Sequence, residues 1–290
     1  MTESAAAPEL PAVGFSTNVY DNPADIVGHL KFLAGYFDDI EMEIAEEAQD
    51  VLFGAGPKEY EQIVAGVRGV MDEHGLDMSV HAAWFGPATD LSAADEDERA
   101  ASKALLSRSL RFARDIGVSR VTYHPGYRTG RSTADCLGTL MRSITEMQPL
   151  AADCGVTMCL ENMGANRPRL VTPTPGQLAG LCESTGTALT LDVTHLATIY
   201  KDERAFDDAL AQVVPYTQTV HISDLPDRKH AHFPIGEGNF DLAGALRRLG
   251  ELGYHGAAIV EEFVKKYPPE LYLERAAEFR RGWRASSAAA

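Results

Sequence analysis

Four short apolar or β-branched segments of this chain each close on a side chain able to ligate a metal: Glu161 in TMCLENM, Asp192 in ALTLDVTH, His221 in TQTVHISD and Glu261 in AAIVEEF. They follow one another at intervals of about 30 to 40 residues. Three carboxylates and one imidazole form an oxygen-rich donor set suited to Mn²⁺, Mg²⁺ or Co²⁺ if successive strands bring them to one point. Carboxylates buried together raise one another's pKa and force protonation, a conflict that a divalent cation removes. The expectation is a metal-dependent enzyme.

Further donors fall at corresponding places. His81 in SVHAAW and His124 in VTYHPGY end two earlier segments, His195 lies three residues after Asp192, and His230 and His232 follow in DRKHAHFPIGEG. A second, histidine-richer cluster favours Zn²⁺. A lone strand-end His or Glu is ordinarily a hydrogen-bonded structural residue, so the weight rests on the recurrence. A one-residue slip of the last segment exchanges Glu261 for Glu262. Trp84, Phe85 and Tyr127 are candidates to wall a pocket, since aromatic faces pack against the CH surface of sugars. The stretch NRPRLVTP, residues 166–173, is a candidate flap. The run Gly236 to Gly238 has no Walker lysine and reads as a tight turn.

These residues need a scaffold that aligns strand ends. Apolar runs alternate with amphipathic stretches along the whole chain, which predicts strands at Val13 to Thr17, Asp39 to Ile44, Met78 to Ala82, Arg120 to His124, Thr157 to Asn162, Ala188 to Thr194, Thr217 to Ser223 and Ala257 to Glu262. Helical patterns fill the gaps, as at Glu96 to Ile116 and Ala134 to Cys154. Gly75, Gly117, Gly155 and Gly253 stand where helices stop, and Asp241 and Asn22-Pro23 where helices start. Eight such units with nearly continuous apolar strands predict a parallel (β/α)8 TIM barrel, a single α/β domain over residues 12–284 with flexible tails at 1–11 and 285–290. In a barrel the carboxyl ends of the strands face one mouth. A doubly wound open sheet is the runner-up, and the glycine-rich phosphate loop it needs after an early strand is missing.

Composition narrows the partners. Apolar residues make up 45% and charged residues 23%, and no stretch of 18 uncharged apolar residues exists to span a bilayer. A formal net charge of -16 repels a phosphate backbone, so neither nucleic acid nor membrane is favoured. Cys136, Cys154, Cys159 and Cys182 form no CxxC pair and follow no signal peptide, which points to a reducing cytoplasm.

The segments LENMG (160–164), LDVTH (191–195), HISD (221–224), HFPIGEGNFD (232–241) and GYHGAAIVEE (253–262) occur in an order that resembles the xylose isomerase-like TIM-barrel superfamily, and the resemblance runs from Val13 to about Arg280. That superfamily holds sugar and sugar-phosphate isomerases and epimerases together with endonuclease IV. The isomerase branch implies one metal on Glu161, Asp192, His221 and Glu261, with Glu161 and Glu261 also the acid/base pair. The implied reaction removes a proton beside the carbonyl of a sugar, sugar phosphate or cyclitol, through an enediolate that a divalent metal (Mn²⁺, Mg²⁺, Co²⁺ or Zn²⁺) stabilises. It further implies a substrate-hydroxyl contact from His195, a similar one from Glu41 or Glu43, a phosphate or carboxylate contact from Arg228, and a homodimer or homotetramer. A dehydratase of the dehydroshikimate or keto-cyclitol type shares the first step. The endonuclease IV branch offers counterparts for His81, His124, His195, His221 and His232, but expects an aspartate at His230 and a different continuation after LEN. A barrel that keeps its metal for binding alone is the non-catalytic alternative.

Overall fold

The computed structural model describes residues 10–19, 25–84, 86–165, 169–229, 232–261 and 267–287. Segments of nearly unbroken apolar and β-branched residues become strands because both of their faces are covered. They are β1 (Ala12–Ser16), β2 (Asp39–Glu43), β3 (Asp77–His81), β4 (Arg120–Tyr123), β5 (Thr157–Glu161), β6 (Ala188–Asp192), β7 (Thr217–Ile222) and β8 (Ala257–Val260). Every neighbouring pair is parallel, and β1 joins both β2 and β8, which closes the barrel. The register sets Glu43 beside His81 and Asp192 beside His221.

The outer ring holds α1 (Ile26–Ala34), α2 (Glu46–Gly54), α3 (Pro57–His74), α4 (Glu96–Ile116), α5 (Thr133–Cys154), α6 (Pro175–Thr185), α7 (Val193–Ile199), α8 (Glu203–Val213), α9 (Leu242–Glu251) and α10 (Pro269–Ser287). Two connections, β2 to β3 and β6 to β7, carry two helices rather than the single one expected. Helix starts use side-chain caps: Asp95 accepts from the amides of Asp97 and Glu98, and Asp241 from that of Gly244 at 2.9 Å. Gly117 and Gly155 end α4 and α5 in the left-handed conformation, with φ of 84° and 67°, which only glycine adopts freely. Gly253 comes one residue after the Leu252 cap of α9. The expected helix start at Asn22-Pro23 lies outside the described residues.

The sixth strand stops at Asp192 instead of running to Thr194, because the Asp192 carboxylate caps α7 by accepting from the His195 amide at 2.7 Å. The ends of the domain are also tied in. Pro11 is buried and its carbonyl accepts from the Trp283 indole at 2.8 Å, and α10 runs to Ser287. Among the described residues no helix is long and apolar enough to cross a membrane.

Candidate metal centre

One ligand atom from each of Glu161, Asp192, His221 and Glu261 lies within 4.8 Å of those of the other three. The four residues are at most 4% exposed. Among the described residues Glu161 Oε1, Asp192 Oδ2, His221 Nδ1 and Glu261 Oε2 are buried and make no well-directed hydrogen bond, although His195 Nδ1 lies 3.2 Å from both Glu161 Oε1 and Asp192 Oδ2. His221 Nδ1 stands 3.3 Å from Glu261 Oε2 and 3.8 Å from Glu161 Oε1. An orphaned buried polar atom costs about 1–3 kcal/mol, so four that share one point describe a donor set completed by a cation. Three carboxylate oxygens and one neutral imidazole nitrogen fit a divalent ion.

The opposite end of three of these groups is already committed, and that commitment aims the orphaned atom. Asp192 Oδ1 accepts from Thr194 Oγ1 at 2.6 Å and from the His195 amide, which leaves Oδ2. Glu161 Oε2 lies 3.2 Å from His81 Nε2 and 2.9 Å from His124 Nε2, which leaves Oε1. His221 Nε2 is bonded to Glu41 Oε1 at 2.7 Å, which leaves Nδ1. Glu261 is held by its main chain, whose amide donates to the Ile222 carbonyl at 2.9 Å.

Two further donor groups flank this set: His81, His124 and Glu161 on one side, and Asp192, His195 and His232 on the other. Their proton positions follow from their neighbours. His81 Nδ1 faces the Ala82 carbonyl at 2.8 Å, His195 Nδ1 that of Asn162 at 3.0 Å, and His232 Nδ1 that of Glu261 at 3.2 Å. Carbonyls only accept, so each Nδ1 carries hydrogen, while His81 Nε2 is turned to Glu161 Oε2 and the Nε2 atoms of His195 and His232 face each other at 3.0 Å. His230 and Glu262, both named from the sequence, lie outside the described residues.

The remaining expected residues separate. Glu41 is fully buried below the centre, with Oε2 accepting from Ser79 Oγ at 2.8 Å and Thr122 Oγ1 at 3.1 Å. Glu43 lies nearer the mouth, bonded by Ser16 Oγ and, at 3.0 Å, by Trp84 Nε1. The Trp84 ring is 6.0 Å from that of His124, so it walls the same space. Phe85 is outside the described residues, and the Tyr127 main chain bridges to Leu170. Arg228 is directed elsewhere. Its guanidinium donates to the Tyr200 and Lys201 carbonyls at 3.0 Å each and covers the rings of Phe206 and Phe240.

Two residues without an expected role shape the site. The Asn162 side chain donates to the Asp192 carbonyl at 3.0 Å and accepts from its amide at 2.8 Å. Asp224 accepts from the amides of Leu225, Gly236 and Phe240 and so gathers the loop that carries His232. Both sit inside quoted motifs, LENMG and HISD, but neither spacing nor residue type reveals these bonds.

Charge is strongly coupled here. Burial opposes ionisation of Glu161, and the imidazoles of His124, His195 and His221 outweigh it and hold its carboxyl well below the usual range. Burial also opposes the charge on Glu261, yet His221 brings it down to about 2. Burial works against protonated His221 too, and Glu41 and Glu261 push it well above the ordinary value. Without a cation, protons on the histidines must balance the carboxylates. Glu43 goes the other way: burial first, then the Glu261 charge, pushes it up to about 8.

The sequence profile of the xylose isomerase-like TIM barrels matches residues 33–283. The chain belongs to that family. An uncharacterized protein of Methanocaldococcus jannaschii, MJ1311, is 26% identical over 226 residues, 71% of this chain and 75% of that one. Solved structures similar in fold include a D-psicose 3-epimerase with D-tagatose from Clostridium cellulolyticum H10 (18% identity, TM-score 0.75, 93% of this chain and 98% of that one). The 3-keto-D-glucoside 4-epimerase YcjR from E. coli (16%, 0.73, 94% and 99%) and an L-ribulose 3-epimerase (18%, 0.75, 96% and 96%) are two more.

Proposed function

We propose that this xylose isomerase-like barrel is a divalent-metal-dependent isomerase or epimerase of a sugar, sugar phosphate or cyclitol. The observation that carries the reading is the convergence of four buried, unpartnered donor atoms, two of them on glutamates that rise from β5 and from the end of β8. The epimerases that share the fold support the choice of a polyol substrate. A cation held by Glu161, Asp192, His221 and Glu261 supplies positive charge to adjacent substrate oxygens. The protein supplies the proton chemistry. One of Glu161 and Glu261 takes the proton from the carbon beside the carbonyl, and the other returns a proton to the opposite face. His195 meets a substrate hydroxyl, and Trp84, braced by Glu43, packs on the sugar's CH surface.

The test is incubation with Mn²⁺, Co²⁺ or Mg²⁺ and a panel of ketoses, inososes and sugar phosphates in D₂O, followed by NMR. Deuterium at the carbon beside the carbonyl supports the reading. Loss of water to an enone would identify the dehydratase alternative instead, and no exchange across the panel would remove the proposal.

One observation favours a second reading. Three donor groups that share Glu161 and Asp192 can hold more than one cation, as phosphodiester hydrolysis requires. Two or three metal ions per chain with cleavage of an abasic-site duplex would support it. The net charge of -16 counts against a grip on duplex DNA.

A further inference from the structure

Four histidines around the mouth have their outward nitrogen pinned by an acceptor, and one pin differs in kind. For His81, His195 and His232 the hydrogen-bond acceptor is a neutral main-chain carbonyl, at 2.8, 3.0 and 3.2 Å, with His195 Nδ1 also 3.2 Å from Glu161 Oε1 and Asp192 Oδ2. For His221 it is the Glu41 carboxylate, at 2.7 Å. Glu41 is 0% exposed. Its second oxygen is filled by Ser79 and Thr122, and Thr122 Oγ1 is in turn 2.8 Å from Thr190 Oγ1. This polar layer crosses the barrel interior below the donor atoms, and Glu41 is spent within it rather than on substrate.

We infer that Glu41 is a positioning residue that sets how tightly the centre holds its cation. It keeps the proton on His221 Nε2, so that the Nδ1 lone pair points to the place shared by Glu161, Asp192 and Glu261. Its negative charge makes that imidazole a stronger donor than a carbonyl-pinned one. The inference deepens the metal-centre reading and rests on it. Orientation and charge can be separated, because an amide at position 41 still accepts from Nε2–H but is neutral.

The experiment is calorimetric titration of the chelator-stripped full chain with Mn²⁺ and Co²⁺, without substrate, together with ¹⁵N-resolved histidine spectra. Glu41→Gln is expected to weaken binding about tenfold and Glu41→Ala about a hundredfold, the span measured for outer partners of metal-ligating histidines. Above the pH at which His221 gives up its second proton, the spectra are expected to show Nε2–H on His221 in the wild type and in Glu41→Gln, and a mixture of tautomers in Glu41→Ala. If the Glu41 variants do not fold, Ser79→Ala with Thr122→Val loosens the carboxylate without removing it, and an intermediate loss of affinity is expected. A role in packing alone lowers the unfolding midpoint of the metal-free protein but leaves affinity and tautomer unchanged. Affinity within twofold of a metal-binding wild type therefore overturns the inference. A wild type that takes up no cation is a different result, and it removes the metal-centre reading itself.

Discussion

Asn162 and Asp192 exchange two hydrogen bonds, side-chain amide to carbonyl at 3.0 Å and main-chain amide to side-chain oxygen at 2.8 Å. The pair clamps the ends of β5 and β6, and so fixes the separation of Glu161 from Asp192. Asn162→Ala orphans the buried Asp192 amide, worth about 1–3 kcal/mol, and removes one bond to the Asp192 carbonyl, which as the N-cap of α7 also accepts the first bond of that helix. The expected loss is on the order of 3 kcal/mol in urea unfolding of the metal-free protein. A change below about 0.5 kcal/mol, the size of an ordinary surface substitution, would show that the clamp is dispensable.

Metal removal carries its own signature. A ligand that binds only the native state stabilises it by about 2.7 kcal/mol at a hundredfold excess over Kd. Chelator-treated protein is expected to regain its melting temperature on addition of Mn²⁺ or Co²⁺. Asp192→Asn and His221→Ala are expected to lose most of that response.

Glu43 gives the pH dependence of the metal-free protein a definite sign. Its carboxyl sits near 4.5 when exposed and is pushed up to about 8 by burial and by Glu261. Between those values the unfolded chain has released the proton and the native state still holds it, so the Glu43 contribution makes stability fall as pH rises from about 4.5 to about 8. Glu43→Gln, which cannot ionise, is expected to flatten that part of the curve. Thermal melts of both proteins across the range decide it, and superimposable profiles would contradict the assignment.

Gly238 has no room for a methyl group. A Cβ there would stand 2.3 Å from Asp224 Oδ1 and 2.6 Å from the Leu225 carbonyl carbon. Gly238→Ala is expected to displace the loop that Asp224 gathers and to cost about 1–3 kcal/mol, the usual range for overpacking. Because His232 belongs to that loop, its NMR signals should move with the substitution while those of Gly75, the C-cap of α3, stay in place.

Much of this arrangement was legible in the sequence, for a reason that also marks the limit. A charged residue that closes an apolar run has to leave the core, and in a closed parallel barrel the place left for it is the mouth. That logic located Glu161, Asp192 and His221 and the eight strands. It does not give depth. Glu41 and Glu43 point to the same side because side chains alternate along a strand, but one lies a layer below the other, and spacing cannot tell the layer beside substrate from the layer beneath it. Asn162 alternates away from Glu161 and meets the neighbouring strand end, a contact set by register. For Arg228, nearness to His221 in the chain suggested the mouth. Positive φ at Asp227 and Arg228, 52° and 49°, instead accompanies a turn that leaves the side chain on Phe206 and Phe240.

The bond from the Trp84 indole to Glu43 has a practical side. The chain contains only two tryptophans, and the other, Trp283, is locked into α10 against the Pro11 carbonyl. Trp84 therefore places an intrinsic fluorophore beside a titrating carboxyl at the entrance, where its emission reports optically on whatever arrives there, without any label.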